Sequence, residues 1–310
     1  MTAAKAPQSD SVKTVRSSRT FHIGDATVSA ATLDPGLYVE ATPIGNLADV
    51  TLRALAILAG VDAILAEDTR VSRALLARYG IERPLSAYHE HNAAEARPRA
   101  LKRIAEGQAL ALISDAGTPL ISDPGYKLVS EAIEHGFAVI AAPGPSAALA
   151  ALCVAGLPTD RFYFEGFLPP RSSARRERIN ALAAVPGSLI FYEAAGRLAE
   201  TLADLALELG PRPAAVAREL TKLHEEVRRG ALDKLAGEYA GSGAPRGEIV
   251  IVVGPLEARP VVSEAALDQE IAEQLATLSV KDAAAAIAAK HGLPRRQVYA
   301  RALALAGAQR

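Results

Sequence analysis

The fold of this chain is decided by the stretch "ISDAGTPLISDPG", which runs from Ile113 to Gly125. It directly follows the apolar run "ALAL" and contains two glycines, two prolines, two serines, a threonine and two aspartates. An uninterrupted apolar run is typical of a strand that is buried on both faces of a parallel sheet. Open α/β sheets bind their ligands at the carboxyl ends of such strands. The stretch therefore predicts an α/β fold with a ligand loop behind a buried strand.

Strand-like and helix-like segments alternate on both sides of this loop. The alternation predicts a mostly parallel sheet with helices on both faces. A break falls near "LPTDRF", and a second α/β unit of roughly one hundred residues, the size of a small domain, follows it. We predict an α/β fold with two α/β domains, 37–157 and 158–256, and a cleft between them. Ordered structure is expected to start at Leu37, after a flexible leader at 1–36.

The end of the chain has a different pattern. Residues 263–310 follow a proline-rich linker and predict a small helical domain in which a turn separates helices, as in a helix-turn-helix. From Ser279 to Arg310 the chain carries six Lys or Arg residues and one Asp, a net charge of +5. This local positive charge suits nucleic acid, and it is equally typical of a solvated helical cap.

Composition excludes several classes of protein. The 310 residues carry a net charge of −1 and a single cysteine, Cys153, so a disulfide framework and a thiolate zinc cluster are excluded. We expect Cys153 to be a small buried side chain. The sequence contains no H-E-x-x-H or cysteine–histidine cluster, and we predict no metal site. P-loop, G-x-G-x-x-G and G-x-S-x-G motifs are also missing. Without a signal peptide or an apolar span, the chain is predicted to be cytoplasmic and not membrane-bound.

Polar turns stand at the ends of the predicted strands in both units. They are "TPIGN", "EDTR", "HEHN", "SDAGTPLISDPG" and "PGPSA" in the first unit and "FYEAAGR", "ARELTK" and "RGE" in the second. If all of these follow parallel strands, they meet at one edge of each sheet. Their backbone N–H and C=O groups suit a ligand with an amino-acid end and an adenine edge. Any one turn is also accounted for by the ordinary need to end a strand.

Taken together, these motifs are similar to those of a known family. "LYVEATPIGNLADVTLRALAIL", "AEDTR", "SDAGTPLISDPGY", "PGPSA", "GLPTDRFYFEGFLP" and "FYEAAGRL" with "ARELTK" resemble the ribosomal RNA small-subunit methyltransferase I family, which belongs to the tetrapyrrole-methylase-like S-adenosylmethionine methyltransferases. The resemblance runs from Leu37 to about Gly254 and extends to the helical tail. It implies 2′-O-methylation of a cytidine in the decoding region of 16S rRNA, within the small ribosomal subunit, by a homodimer.

The resemblance also implies where S-adenosylmethionine is bound. It places the cofactor in the cleft between the two α/β units. The implied cofactor-binding residues are Pro43, Asp115, Ala116, Gly117, Thr118, Leu120, Ile121, Ser146, Ala147, Tyr192, Ala217 and Gly247. Thr118 departs from the aspartate of the wider superfamily and carries no charge, while the implied backbone contacts do not depend on that charge.

Methyl transfer to a ribose hydroxyl needs alignment and a group that accepts the proton. The candidates on which we settle are Glu67, Asp68, Arg70 and His91. Other candidates are His89, Asp115, Glu219 and Lys222. Two adjacent carboxylates beside an arginine suit a site with shifted pKa values. The same residues could equally form the cap and ion pair of a helix start.

Arginines near "EGFLPP" suggest where RNA would bind. "RSSARRER", from Arg171 to Arg178, carries four arginines and one glutamate, a net charge of +3. Arginine suits contacts with phosphate, although a solvated helix start has the same composition. We predict RNA contacts at Arg171, Arg175, Arg176, Arg295 and Arg296.

Two other functions are compatible with the sequence. A tetrapyrrole (precorrin or corrin) methyltransferase would share the scaffold but would not need the basic loop and tail. A non-enzymatic nucleic-acid-binding regulator with a small-molecule sensor domain is suggested by the helix-turn-helix-like end.

Overall fold

The computed structural model describes residues 19–256, 263–291 and 293–308. The chain divides into two compact units, Met1–Pro255 and Leu256–Arg310. Both α/β halves lie within the first unit, and the second unit holds the helical tail. Within the described residues, no helix has the length and apolar character needed to cross a bilayer.

Ordered structure begins earlier than the sequence predicts. Two strands, β1 (Thr20–Ile23) and β2 (Ala26–Ser29), form an antiparallel hairpin. Phe21 is buried in the core, and the backbone N–H of His22 donates to the carbonyl of Tyr79 at 2.8 Å. The expectation of a flexible leader up to residue 36 is therefore wrong from residue 19 onward. The overlooked signal is the two-residue Gly24–Asp25 connection, a common hairpin turn. Residues 1–18 of the predicted leader lie outside the described part.

The first half is a five-stranded parallel sheet in the order β5-β4-β6-β3-β7. Its strands are β3 (Gly36–Glu40), β4 (Ala63–Ala66), β5 (Leu85–Ala87), β6 (Ala109–Ile113) and β7 (Val139–Ala142). Its helices are α1 (Leu52–Gly60), α2 (Thr69–Arg78), α3 (Ala93–Ala105), α4 (Tyr126–Glu134) and α5 (Ala147–Ala155). Every residue of β4 and β6 is buried, because helices cover both faces of the sheet.

The second half is a mixed five-stranded sheet in the order β11-β10-β12-β9-β8. Its strands are β8 (Phe162–Phe167), β9 (Ser188–Ala194), β10 (Pro213–Arg218), β11 (Glu226–Ala231) and β12 (Glu248–Val253). Its helices are α6 (Ser172–Leu182), α7 (Leu198–Leu209) and α8 (Leu232–Gly241). Strand β12 runs antiparallel to both of its neighbours, so its amino end lies beside the carboxyl ends of β9 and β10. The turn "RGE" therefore precedes an antiparallel strand and does not follow a parallel one. The predicted class of two α/β sheets is confirmed.

Helix α5 packs the two halves together. Its small buried residues Ala148, Ala151 and Ala155 form one apolar cluster with residues of the second sheet, including Val250 and Val252. Alanine side chains let the helix approach the sheet closely. Cys153 lies on the opposite side of this helix and is exposed, so the expectation that it is buried is wrong.

The helical tail folds around its own small core. Its helices are α9 (Glu264–Leu275), α10 (Val280–His291) and α11 (Arg295–Ala308). Ile271, Ala284, Ile287, Val298 and Ala302 are buried together at the centre of this unit. The helical domain predicted for 263–310 thus has a core of its own. Gly292, Gln309 and Arg310, which the prediction also covers, lie outside the described residues.

The first sheet buries one carboxyl group that has no partner. Glu40 ends β3 with 0% of its surface exposed, and neither carboxyl oxygen has a hydrogen-bond partner within the described part. Burial raises the pKa of Glu40 well above its ordinary value, and the charge of Arg53 opposes this only in part. Because the pKa of Glu40 is higher in the folded protein than in the unfolded chain, folding favours its protonated form. The protein is therefore most stable with respect to this group at low pH, and that stability is lost as the pH rises through the folded-state pKa.

Replacing Glu40 by methionine should therefore stabilise the protein at alkaline pH. The change removes a buried group that must either stay protonated or be charged without a partner, which costs about 1–3 kcal/mol. Urea unfolding at pH 5 and pH 8 measures the effect, and we expect the gain to be larger at pH 8. Glu95→Gln, on a side chain that is 81% exposed, is the control. A gain that is equal at the two pH values would contradict the assignment of Glu40.

Candidate active site

Three loops of the first half are tied to one another at the carboxyl edge of the sheet. Thr42, after β3, and Gly117, after β6, exchange two backbone hydrogen bonds of 2.9 and 3.0 Å. The Thr118 hydroxyl donates to the carbonyl of Pro145, after β7, at 3.1 Å. Thr118 thus joins two loops through a neutral hydrogen bond. The three loops form one wall.

The loop after β6 holds an unusual backbone conformation. Leu120 and Ser122 both have positive φ angles, +71° and +65°, although neither is glycine. Such residues are strained and cluster at ligand sites. The turn directs the side chain of Leu120 into the apolar cluster that contains Leu112 and Leu128. The neighbouring Ile121 is 42% exposed.

The second half supplies the opposite wall. It consists of the end of β9, the end of β10 and the start of β12, which the antiparallel arrangement brings to one edge. At the base of this wall, Glu193 is buried and accepts hydrogen bonds from the Thr201 hydroxyl at 2.5 Å and the Ala194 N–H at 2.7 Å. These bonds fix the backbone where β9 leaves the sheet.

A cavity of about 480 Å³ lies between the two walls. Most of the residues predicted to hold the cofactor line it. They are Asp115, Ala116, Gly117, Thr118, Ile121, Ser146, Ala147, Tyr192, Ala217 and Gly247. Pro43 lines a smaller adjoining cavity of about 260 Å³, which shares Ile44, Asp115, Ala116 and Glu248 with the larger one. Leu120 faces the core instead.

Sequence reasoning missed about half of the lining. The additional residues are Ile44, Ser122, Asp123, Phe167, Glu193, Ala194, Ala195, Leu220, Glu248, Ile249 and Val250. Several of them stand inside the motifs already quoted, next to predicted positions. Ile249 and Val250 lie outside those motifs. Phe167 lies inside one of them, but on a strand, where the pattern does not show which face a residue takes beside a bulge.

Four carboxyl groups lie close together beside the cavity. Burial raises the pKa of Glu67, and the nearby Asp123, Asp115 and Asp68 raise it further. Burial also raises the pKa of Asp123. Asp115, which lines the cavity, accepts a hydrogen bond from the backbone N–H of Asp68 at 2.9 Å. A carboxyl group with a raised pKa is better matched to proton transfer near neutral pH than an ordinary one.

Asp68 and Arg70 form the start of α2. The Asp68 carboxylate caps the helix by accepting from the Arg70 N–H at 2.8 Å, and the Arg70 guanidinium donates to the same carboxylate at 2.6 Å. These hydrogen bonds lower the pKa of Asp68 to about 2. The alternative interpretation of this motif, a capped helix start with an ion pair, therefore describes Asp68 and Arg70. Arg70 is largely exposed.

His91 lies on the turn that follows β5, not on a strand. Its ring makes an edge contact with that of His89, with ring centroids 6.1 Å apart. Neither histidine is among the residues that line the two cavities. The structure thus brings Glu67 and Asp68 to Asp115 but does not bring His91 to the cavity.

A second cluster of charged groups lies beside the smaller adjoining cavity, which Lys222 and Glu248 line. Lys222 donates to Glu219 at 2.9 Å and to Glu248 at 3.0 Å, and the Glu248 N–H donates to Glu219 at 3.1 Å. Burial lowers the pKa of Lys222, but the two glutamates together raise it by more, so this amine stays protonated. A protonated amine is not a general base. Glu219 and Lys222, both considered as bases from the sequence, instead stabilise the loop beside Gly247.

One of the arginines predicted to bind RNA is in the core. Arg175 is 1% exposed, and its guanidinium donates to Asp204 at 2.6 Å and to the Pro170 carbonyl at 3.3 Å. The prediction that Arg175 contacts RNA is therefore wrong. It lies on the inner face of α6, a position that the charge pattern alone does not reveal. Arg176 pairs with Glu208 and stays partly exposed, and Arg171 is exposed ahead of the helix.

Some of the positively charged side chains of the tail are neutralised by ion pairs within it. Lys290 pairs with Glu270, and Arg301 pairs with Asp268. Arg295 and Arg296 begin α11, are exposed, and form no salt bridge among the described residues. They are therefore cations of this unit that remain available to a partner.

Comparisons with known proteins agree with this geometry. Residues 36–236 match the model of the tetrapyrrole (corrin/porphyrin) methylases. Two similar solved structures are a cobalt precorrin-4 methyltransferase (TM-score 0.54, 18% identity, 70% of this chain and 94% of that chain) and a diphthine synthase (TM-score 0.56, 16% identity, 70% and 89%). These likenesses show the fold. The fold and its cleft define a methyltransferase of the tetrapyrrole methylase class.

More similar relatives identify the particular family. The small-subunit ribosomal RNA methyltransferase I of Mesorhizobium japonicum is 52% identical, covering 91% of this chain and 96% of the relative. The Escherichia coli O157:H7 protein of the same name is 45% identical, covering 86% and 94%. Residues 261–306 match that family's C-terminal helix-turn-helix domain. The chain belongs to the ribosomal RNA small subunit methyltransferase I family, which confirms the resemblance seen in the sequence.

Proposed function

We propose that this enzyme transfers the methyl group of S-adenosylmethionine to the ribose 2′-hydroxyl of a cytidine in the decoding region of 16S rRNA. The observation that carries the proposal is the cleft, whose walls come from the family's motifs on both halves. The 2′ oxygen attacks the methyl carbon, the carbon–sulfur bond breaks, and S-adenosylhomocysteine leaves. The proton of the hydroxyl passes to a base or to water.

The cofactor would occupy the larger cavity. Its volume of about 480 Å³ lies within the range of small-molecule pockets. Inner lining residues such as Ala217, Ile249 and Val250 are buried and apolar. This loop would contact the cofactor through the backbone of Ala116 and Thr118, since the Thr118 hydroxyl and the backbone groups of Gly117 already have hydrogen-bond partners. Pro43, in the adjoining cavity, would meet it from the side.

Proton removal is best assigned to the carboxyl groups around Asp115. Glu67 is the better base of the two acids in "EDTR", because its pKa is raised whereas that of Asp68 is lowered to about 2. Arg70 would act on Asp68 and not on substrate. His91, on its separate turn, would contribute little beyond a surface contact.

Methyl transfer from labelled cofactor tests the proposal. The protein is incubated with assembled small subunits that lack the modification, and nuclease mapping locates the label. We expect label in the ribose of one cytidine of 16S rRNA. Label in a base, or transfer only to a tetrapyrrole, would replace this function with another one.

The RNA would be held by exposed arginines, above all Arg295 and Arg296 in the tail. Replacing both by alanine should weaken binding to small subunits. The slope of log K against log salt concentration should become less steep by about 1–2, because each phosphate contact that is lost releases one counterion fewer. Binding is measured by filter retention across a salt series. Arg99→Ala with Lys102→Ala removes two exposed charges from α3 and is the matched control. An unchanged salt slope in the tail variant would exclude these arginines from the interface.

Further RNA contacts, the assembly and the location in the cell belong to the same proposal. Arg171 and Arg176 would contact RNA from the segment around the start of α6. The family resemblance implies a homodimer and a cytoplasmic enzyme, and sedimentation of the purified protein tests the first of these.

A further inference from the structure

Strand β8 contains a bulge that changes the direction of one aromatic side chain. Its pairing with β9 passes from Phe164 opposite Ile190 to Phe167 opposite Tyr192, so that three steps along β8 match two along β9. Successive strand residues face opposite sides, and one extra residue reverses the alternation. The bulge therefore places Phe167 on the same face as Phe164 and Tyr192, which is the face of the cleft.

Gly166 makes this bulge possible. Its φ angle is +76°, which side-chain-bearing residues rarely adopt. A Cβ atom at this position would lie 2.8 Å from the Ser122 hydroxyl oxygen, on the loop of the other wall. The bulge thus brings the edge strand of the second sheet close to the strained loop of the first half.

The ring of Phe167 is held from two directions. It makes an edge contact with the Tyr192 ring at 5.7 Å, and Tyr192 makes a second edge contact with Phe164 at 4.9 Å. On the backbone side, the Leu168 carbonyl accepts from Arg197 at 2.8 Å, and Arg197 donates to Glu193 at 3.1 Å. A ring fixed by its neighbours loses little freedom when a ligand covers it.

Phe167 nevertheless remains 57% exposed while it lines the cavity. The inner wall consists of buried residues such as Ala217 and Val250, at 1% and 5% exposure. Phe167 therefore lies at the opening, where the second substrate enters, and not at the inner wall. Exposed Arg171 follows four residues later in the chain. An exposed aromatic face binds a nucleic-acid base by stacking, and an exposed arginine binds phosphate.

We propose that Phe167 is a stacking platform for the base of the acceptor nucleotide, positioned by the Gly166 bulge at the opening of the cofactor cavity. Stacking there holds an unpaired base against the second sheet, so that its ribose faces the cavity. The inference rests on the proposed RNA substrate and adds a residue that positions it. Phe167 acts by orienting the nucleotide and takes no proton.

The test compares three substitutions at Phe167 with one at Phe162. We measure kcat/KM for methylation of unmodified small subunits and, by calorimetry, the affinity for S-adenosylhomocysteine. Phe167→Ala should lower kcat/KM by roughly 10-fold or more, as expected for losing one base–aromatic stack. Phe167→Tyr and Phe167→Trp should retain most of the activity, because they keep the ring face. Phe162→Ala removes a similarly exposed ring (46%) from the same strand, away from the cavity, and should leave both quantities unchanged.

The cofactor measurement separates the alternatives. In Phe167→Ala the affinity for S-adenosylhomocysteine should stay within about 2-fold of the parent protein, since a lost stack on the base leaves the inner wall intact. An equal loss of cofactor affinity would assign the ring to the cofactor and overturn the proposal. So would full activity in Phe167→Ala. If the parent protein transfers no methyl group to small subunits, it is the proposed function that fails.

Discussion

Arg175→Ala should lower the free energy of unfolding by about 3–5 kcal/mol, the usual cost of leaving one member of a buried ion pair without its partner. Asp204 would remain in the interior, and Ser172, at 3.0 and 3.2 Å, would be its one remaining side-chain donor among the described residues. Urea unfolding followed by circular dichroism measures the loss. For a protein of this size and average stability, such a loss removes a large share of the total.

Two further variants decide whether the buried pair is the cause. Arg176→Ala breaks the more exposed pair with Glu208 on the same helix and should cost about 0–1 kcal/mol. Arg175→Met combined with Asp204→Leu removes both charges and should recover most of the stability. At temperatures where Arg175→Ala is still folded, its affinity for small subunits should equal that of the parent. If Arg175→Ala instead had the same free energy of unfolding as the parent protein but bound RNA weakly, the interior placement of Arg175 would be refuted.

Gly247→Ala should raise the dissociation constant for S-adenosylhomocysteine by roughly 10- to 100-fold. Gly247 has a φ angle of +99°, where an alanine is strained by about 1–3 kcal/mol. Its new Cβ atom would lie 2.2 Å from a carboxyl oxygen of Glu219, which already binds Lys222 and the Glu248 N–H. Glu219 cannot move without breaking charge-assisted hydrogen bonds, so the cavity wall itself must shift. Calorimetric titration measures the effect.

The same loop provides the matched control. Gly243 also has a positive φ angle, +65°, but a Cβ atom there would meet nothing within 4 Å. Gly243→Ala should therefore lose some stability and keep the parent's cofactor affinity. Equal cofactor binding by the parent and both variants would show that the wall at Gly247 does not touch the cofactor.

The layered α/β fold is predictable because apolar runs such as 109–113 are typical of strands that have helices on both faces of their sheet. Few other arrangements bury so short a run completely. Many of the residues that line the cavity are predictable, because the loops at the carboxyl edge of a sheet lie close together whichever side chains they carry. Contacts that depend on side-chain direction were not predictable. Arg175 and Arg176 are neighbours with the same charge, yet one faces the core and the other the solvent. The direction of the Phe167 side chain depends on one extra residue in β8, which the alternation of the sequence does not reveal.

The alanines of α5 have a consequence for substrate choice. The helix lies against the second sheet through Ala151 and Ala155 and begins at the cavity with Ser146. The gap between the two walls is therefore set by methyl groups that do not line the cavity. A larger side chain at Ala151, which is fully buried, is expected to move the two walls apart without changing the identity of any lining residue. Tolerance for bulkier cofactor analogues should accordingly be adjustable from a position deep behind the cleft, with every binding side chain left as it is.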